Sequence, residues 1–263
     1  MGVFDKLKKK QESAGVLPNS ILLSETVFDA ELFKKAFFEE WGITIPADYA
    51  EKNGGELDMV VTEIDNMRVA VCLLPAPVPG AVENAKTNYR WPEAVSVTES
   101  HKAHILVAVL PLGKQSLFEI ATLQTKLCVT CLKLPYALAI NAAGTVFAPD
   151  FYTELAKLFI EKGSFPILCH VFFGLYSSDD GKTFSGYTYG LSNLGKKDIE
   201  VLNSSREADE IYDFLVDIAL YVIESDVVLK DGETIGFSAE QKLPITESAG
   251  VALDGKTLKI QFD

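Results

Sequence analysis

A chain of 263 residues with 48% hydrophobic and 10% aromatic content has enough apolar surface for one large core or two ordinary ones, which excludes a disordered or low-complexity protein. Its 37 acidic and 24 basic residues give a formal net charge of −13, a field that repels nucleic acid and anionic lipid and leaves a basic protein as the expected macromolecular partner. Four cysteines are too few to staple a secreted scaffold of this length, so the chain reads as a protein of the reducing cytoplasm.

Residues 1–18 are expected to be a flexible basic segment. Lys6, Lys8, Lys9 and Lys10 lead into no apolar stretch or small-residue cleavage site, which argues against export, and Lys6 stands where myristoylation needs a hydroxyl. A short amphipathic turn through Val3, Phe4 and Leu7 touching anionic lipid is the alternative to a solvated terminus. No apolar run approaches bilayer-spanning length, so no stable membrane association is expected.

Asn19 to Glu25 predicts a strand. Leu32, Phe33, Ala36, Phe37 and Trp41 at helical spacing predict a helix after it, with Asp29 as N-cap and Gly42 as the stop. Met59 to Ile64 and Met67 to Leu74 predict two paired strands, because Asp65 and Asn66 tolerate the left-handed conformations of a tight hairpin. After the three prolines of LPAPVPG, Ala81 to Arg90 predicts a helix and His104 to Leu110 a strand. The element order of residues 19–113 is βαββαβ.

Ser116 with Glu119 predicts a capping box that opens a connecting helix over residues 114–135. The order then restarts in residues 136–263. Tyr136 to Asn141 reads as a strand and Asp150 to Gly163 as a helix, and Ile167 to Tyr176 pairs with Thr183 to Tyr189 around SSDDG. Ser204 and Glu207 suggest a second capping box before an apolar stripe from Ile211 to Val222, with Asp209, Glu210, Asp213 and Asp217 opposite. Thr234 to Ser238 and Leu258 to Phe262 supply closing strands. The expectation is an α+β protein of tandem βαββαβ, ferredoxin-like units, with antiparallel sheets and helices packed on one face. TVFDAELFKKAF from Thr26 and TVFAPDFYTELAKLF from Thr145 echo each other at matching points. One α+β domain whose elements merely alternate is the alternative.

Two of the three histidines, His101 and His104, are three residues apart. On a strand that spacing sends the rings to opposite faces, so packing and hydrogen bonding are expected rather than chelation. Cys128 and Cys131 form CVTC near the far end of an apolar helix, away from the N-terminal dipole that activates a redox pair, and read as inert. Cys72 and Cys169 sit in apolar runs and read alike. No metal and no cofactor is expected. GLSNLGKK, Gly190 to Lys197, almost spells a phosphate loop, but Lys197 occupies the magnesium-binding hydroxyl position and the alternating DIEVL that follows is strand-like. A solvated turn is expected there, with an anion contact by Lys196 or Lys197 as the functional alternative.

LPAPVPG, then Trp91 with Pro92, then HKAHILV, and later GYTYGLSNLGKKDIEVLNSS followed by an acidic helix and DGETIG, resemble the bacterial family called domain of unknown function 4261. The similar segments run from Ile21 to Gly236. The resemblance implies a bacterial cytoplasmic protein without an established activity, and it marks Trp91, His101, His104, Gly195 and Lys196 as positions on the family pattern. Three functions follow from the sequence: a non-catalytic binding module for a basic protein, an enzyme with its site near His101 and His104, or an assembly subunit. Acidity for solubility alone also accounts for the charge.

Overall fold

The protein is described here by a computed structural model, which covers residues 15–46, 59–178, 180–236, 238 and 241–263. The amphipathic turn expected near Val3 lies outside these residues. The chain divides into two units, Leu17–His170 and Val171–Asp263, the second joined by Gly15 and Val16. This boundary falls later than the junction at 135/136 expected from element order.

In the first unit, β1 (Asn19–Leu23) is buried along its whole length. α1 (Ala30–Trp41) starts where Asp29 accepts the Leu32 N–H and stops at Gly42, at φ 66°. β2 (Met59–Ile64) and β3 (Met67–Leu74) form the expected hairpin, with Asp65 and Asn66 at φ 50° and 58°, the geometry of a type I′ turn. The helix expected from Ala81 to Arg90 stops early, as α2 (Ala81–Lys86), and a second short helix that was not expected, α3 (Ala94–Glu99), follows. Pro92 disfavours a helical backbone at Trp91 and so keeps the two helices apart. β4 (Ala103–Pro111) leads to α4 (Leu117–Leu132), which opens on the expected Ser116/Glu119 capping box. β5 (Ala137–Ala142) turns through Ala143 and Gly144, both at positive φ, into a strand the sequence did not announce, β6 (Thr145–Phe147). α5 (Pro149–Lys162) and α6 (Ile167–His170) complete the unit.

The strand order is β2-β3-β4-β1-β5-β6, and every neighbouring pair is antiparallel. An antiparallel sheet in an α+β protein matches the expectation, but the ferredoxin-like arrangement does not. That arrangement sets the first and third strands side by side and parallel, whereas here β4 lies between them. The second copy of the motif is also absent as a separate unit. β5 and β6 extend the first sheet, and α1 and α5, whose sequences echo each other, both pack on α4.

Helices cover both faces of this sheet, not one. Asn19 meets Cys128 of α4, so Asn19, Ile21 and Leu23 face α4 by the alternation of a strand. Leu22 points the other way and packs with Ala85 of α2, Ala94 of α3, Ala139 and Val146.

The second unit holds β7 (Phe172–Ser177), β8 (Phe184–Tyr189), a 3-10 turn (Leu191–Leu194), β9 (Ile199–Ser204), α7 (Ala208–Glu224), β10 (Thr234–Ile235), β11 (Leu243–Ala249) and β12 (Lys256–Ile260). Their order is β10-β11-β12-β9-β8-β7. The β12–β9 pair is parallel, so this sheet is mixed rather than wholly antiparallel. The strand expected from Ile167 to Tyr176 begins only at Phe172, because Ile167–His170 forms the helical turn α6. The capping box of α7 is Glu207 with Glu210. Ser204 instead donates to the Phe262 carbonyl and accepts the Arg206 N–H, tying β9 to the chain end.

α7 lies close on β8 because Gly186 has no side chain. A Cβ there would come 2.8 Å from both Ile211 and Leu215. On the opposite face Tyr187 lies over Gly174, where a Cβ would come 2.2 Å from the ring.

Candidate functional site

His101 and His104 are brought together, and LPAPVPG is the reason. The strand begins after His101, so the alternation that would separate the rings does not apply to it. Val78 N–H donates to His101 Nε2 at 2.8 Å, which leaves the proton on Nδ1, donated to the Thr98 carbonyl. His104 Nδ1 donates to the Ala76 carbonyl at 2.7 Å. Both rings therefore pin the same proline loop, and each is 93% removed from solvent by the fold, at 7% exposure. Both ring nitrogens of His101 are thus occupied by backbone partners. Burial pushes the His104 pKa down against the pull of the Ala76 carbonyl, which favours a neutral ring with one lone pair on Nε2. Trp91 packs against the Leu22, Ala85, Ala94, Ala139 and Val146 cluster on the same side of the sheet. Its part is to close that face.

Cys128, with Cys131 and Cys169 near it, lies on the other side of the sheet, whereas Cys72, paired with Leu106, shares the histidine face, half-buried and with its thiol pushed up by that burial. Cys128, Cys131 and Cys169 are fully buried. Burial pushes the Cys128 thiol up to about 12 and raises Cys131 and Cys169 as well, leaving no thiolate to act as nucleophile or ligand. Beside them is a residue the sequence argument passed over. His170 donates to the Ala121 carbonyl and takes a 3.0 Å hydrogen bond from Thr125 Oγ1 on Nε2. Burial lowers its pKa to about 4. Among the described residues, no group of three or more His, Cys, Asp or Glu is placed to hold a metal ion.

Gly190 to Lys197 forms a turn, not a phosphate cradle. Gly190 and Gly195 take φ of 116° and 77°, flanking the 3-10 segment. β9 follows where a phosphate loop would need a helix. Lys196 Nζ is 2.6 Å from Asp226, and Lys197 pairs with Glu247. Asp198, buried behind the turn, accepts from Leu191 N–H at 3.0 Å and Thr188 Oγ1 at 3.2 Å. Burial holds its carboxyl above the usual range despite these donors.

The turn also bounds a cavity of about 130 Å³, lined by Gly195, Lys196, Lys197, Ile199, Val222, Val227 to Leu229 and Leu258. Thus Gly195, Lys196 and Lys197 do converge. The signal missed in the sequence was the pairing of their charges with residues 30 and 50 positions away.

Glu200 was missed for a similar reason. It is wholly buried on the face opposite α7 and binds Val251 N–H, Ala252 N–H, Thr257 Oγ1 and Lys259 Nζ. Burial alone would raise its carboxyl, but Lys259 and these donors outweigh that and hold it low. Its work is to fasten the loop between β11 and β12.

The outer face of α7 carries Asp209, Asp213 and Asp217 at intervals of four, all exposed. Side chains at that spacing lie one above another. Partial burial, with the Asp213 carboxylate next to it, holds the Asp217 pKa above the usual range. Among the described residues no cation stands within ion-pair distance of the three.

No helix among the described residues is long and apolar enough to cross a membrane. No curated protein matches the chain, and no solved structure does. The family model described as a domain of unknown function, number 4261, matches residues 187–261. That segment contains the cavity, Glu200 and the whole of α7. The chain resembles this uncharacterised family across the greater part of its second unit.

Proposed function

We propose that the protein is a non-catalytic binding module of the bacterial cytoplasm whose partner is a basic protein met by the outer face of α7. The observation that supports it is the row Asp209, Asp213, Asp217. Like charges at this spacing cost helix stability, and among the described residues no cation stands within ion-pair distance of the row. It extends about 12 Å along the helix, the scale of a protein surface rather than of a single small cation. The net charge of −13 adds long-range attraction for a basic surface. His101 has both ring nitrogens engaged on backbone, which leaves Nε2 of His104 as the ring nitrogen of the pair on which the enzyme alternative would have to rest.

The test is capture on the immobilised chain from lysate of its native cell, followed by kinetics with the purified partner. A basic protein whose association rate falls steeply between about 50 and 500 mM salt supports the reading, because screening shortens the range of the attraction. Recovery of no partner, or of one whose association ignores salt, overturns it.

A further inference from the structure

The cavity of the second unit is apolar over most of its wall, through Ile199, Val222, Val227 and Leu258. Its volume of about 130 Å³ is close to that of the roughly 150 Å³ apolar cavity that takes up benzene in another protein. An occupant is therefore the size of one six-membered ring or a short alkyl chain. Any polar atom it carries must be met by the lining groups, and much of the backbone there is committed. The N–H groups of Gly195, Lys196, Val227 and Leu258 bond to carbonyls, and that of Ile199 bonds to Thr188 Oγ1.

The charged side chains among the lining residues are Lys196 and Lys197, and they are not equivalent. Lys197 is held by Glu247, whose own N–H is fixed by Asp231 at 2.7 Å. Lys196 is only 8% exposed, yet its partner Asp226 is 96% exposed. A sheltered cation is thus paired with a carboxylate standing almost wholly in water. That carboxylate can turn away into solvent at little cost and leave the cation to another anion.

We propose that this cavity binds a small monocarboxylate, its apolar body among Ile199, Val222 and Leu258 and its carboxylate replacing Asp226 on Lys196. A second anionic group is disfavoured by Glu247, and a nucleotide is far too large. The site is independent of the acidic row on α7, so it stands or falls apart from the proposed partner.

The experiment is a methyl NMR titration of the full chain with benzoate and hexanoate. Benzyl alcohol and hexanol serve as neutral counterparts, and acetate supplies the head group without a body. Saturable shifts at the Ile199, Val222 and Leu258 methyls are expected with a Kd on the order of 1 mM for benzoate or hexanoate, and at least about tenfold weaker for the alcohols and acetate. Asp226→Asn keeps the left-handed backbone that Asp226 adopts at φ 49° and removes the competing carboxylate. It should tighten benzoate or hexanoate binding by about three- to tenfold. Lys196→Met should abolish the preference for the acid over the alcohol. Absence of a saturable shift, equal affinity for acid and alcohol, acetate as good as benzoate, or weaker binding to Asp226→Asn would each overturn the proposal.

Discussion

Acidification from pH 7 to pH 4 should destabilise the first unit through His170. The ring is neutral and fully enclosed, with a folded pKa of about 4 against 6.5 for the free side chain. Between those values the unfolded chain binds a proton that the folded chain refuses, so stability is complete above pH 6.5 and is lost as pH falls towards 4. A gap of about 2.5 units at about 1.36 kcal/mol each is worth ~3 kcal/mol. Both tryptophans, Trp41 and Trp91, belong to the first unit, so urea unfolding followed by tryptophan fluorescence reads this unit alone. Carboxylates titrate in the same range, and His170→Gln separates them. The stability difference between wild type and variant should shrink by ~3 kcal/mol from pH 7 to pH 4. Parallel pH profiles would show that His170 is not held neutral by the fold, and the argument from its burial would fail.

Three further outcomes follow from other contacts. His101→Ala removes the acceptor of the Val78 N–H and should cost about 1–3 kcal/mol, with hydrogen exchange of Val78 accelerated well beyond that of β4 amides; unchanged exchange would mean the ring does not hold the proline loop. Gly174→Ala puts a methyl 2.2 Å from the Tyr187 ring and should lower the stability of the second unit by about 1–3 kcal/mol, which unfolding followed by tyrosine near-UV dichroism would detect. ATP and GTP should leave the melting temperature unchanged, because a ligand without affinity cannot stabilise the fold. A several-degree, magnesium-dependent rise lost in Lys196→Ala would show that Gly190 to Lys197 is a phosphate site after all.

What the sequence made legible was local. Asp65 and Asn66 specify their turn by their own backbone preferences. Ser116 and Glu119 close a capping box within one helical turn, and the strand-like alternation after Lys197 told β9 from the helix a phosphate loop would require. What it hid was long-range. Nothing near Tyr136 states that β5 will pair with β1 rather than begin a second unit, since antiparallel pairing is decided by side chains more than a hundred positions apart. The histidine pair was misplaced because one residue of strand boundary, at Lys102, changes which face His101 sees. Glu200 looks like an ordinary polar position on an alternating strand, and only the loop at Val251 and the Lys259 ammonium reveal why it is buried. Ser204 and Glu207 have the spacing of a capping box, yet Glu207 with Glu210 satisfies the helix start and leaves Ser204 for Phe262.

The most direct test of the proposed function is the triple variant Asp209→Asn, Asp213→Asn, Asp217→Asn, measured at once for stability and for affinity to the captured partner. Relieving two like-charge contacts at four-residue spacing gains about 0.4–1 kcal/mol, while Asp209, in the first turn of α7, loses about 0.3–1 kcal/mol of its attraction to the helix dipole, so hydrogen exchange of the α7 amides should show a stability within about 1 kcal/mol of wild type. If the row is a docking surface, the same variant should bind the partner at least about tenfold more weakly. A folded variant whose affinity stays at the wild-type value would show that the row serves solvation alone and would contradict the account.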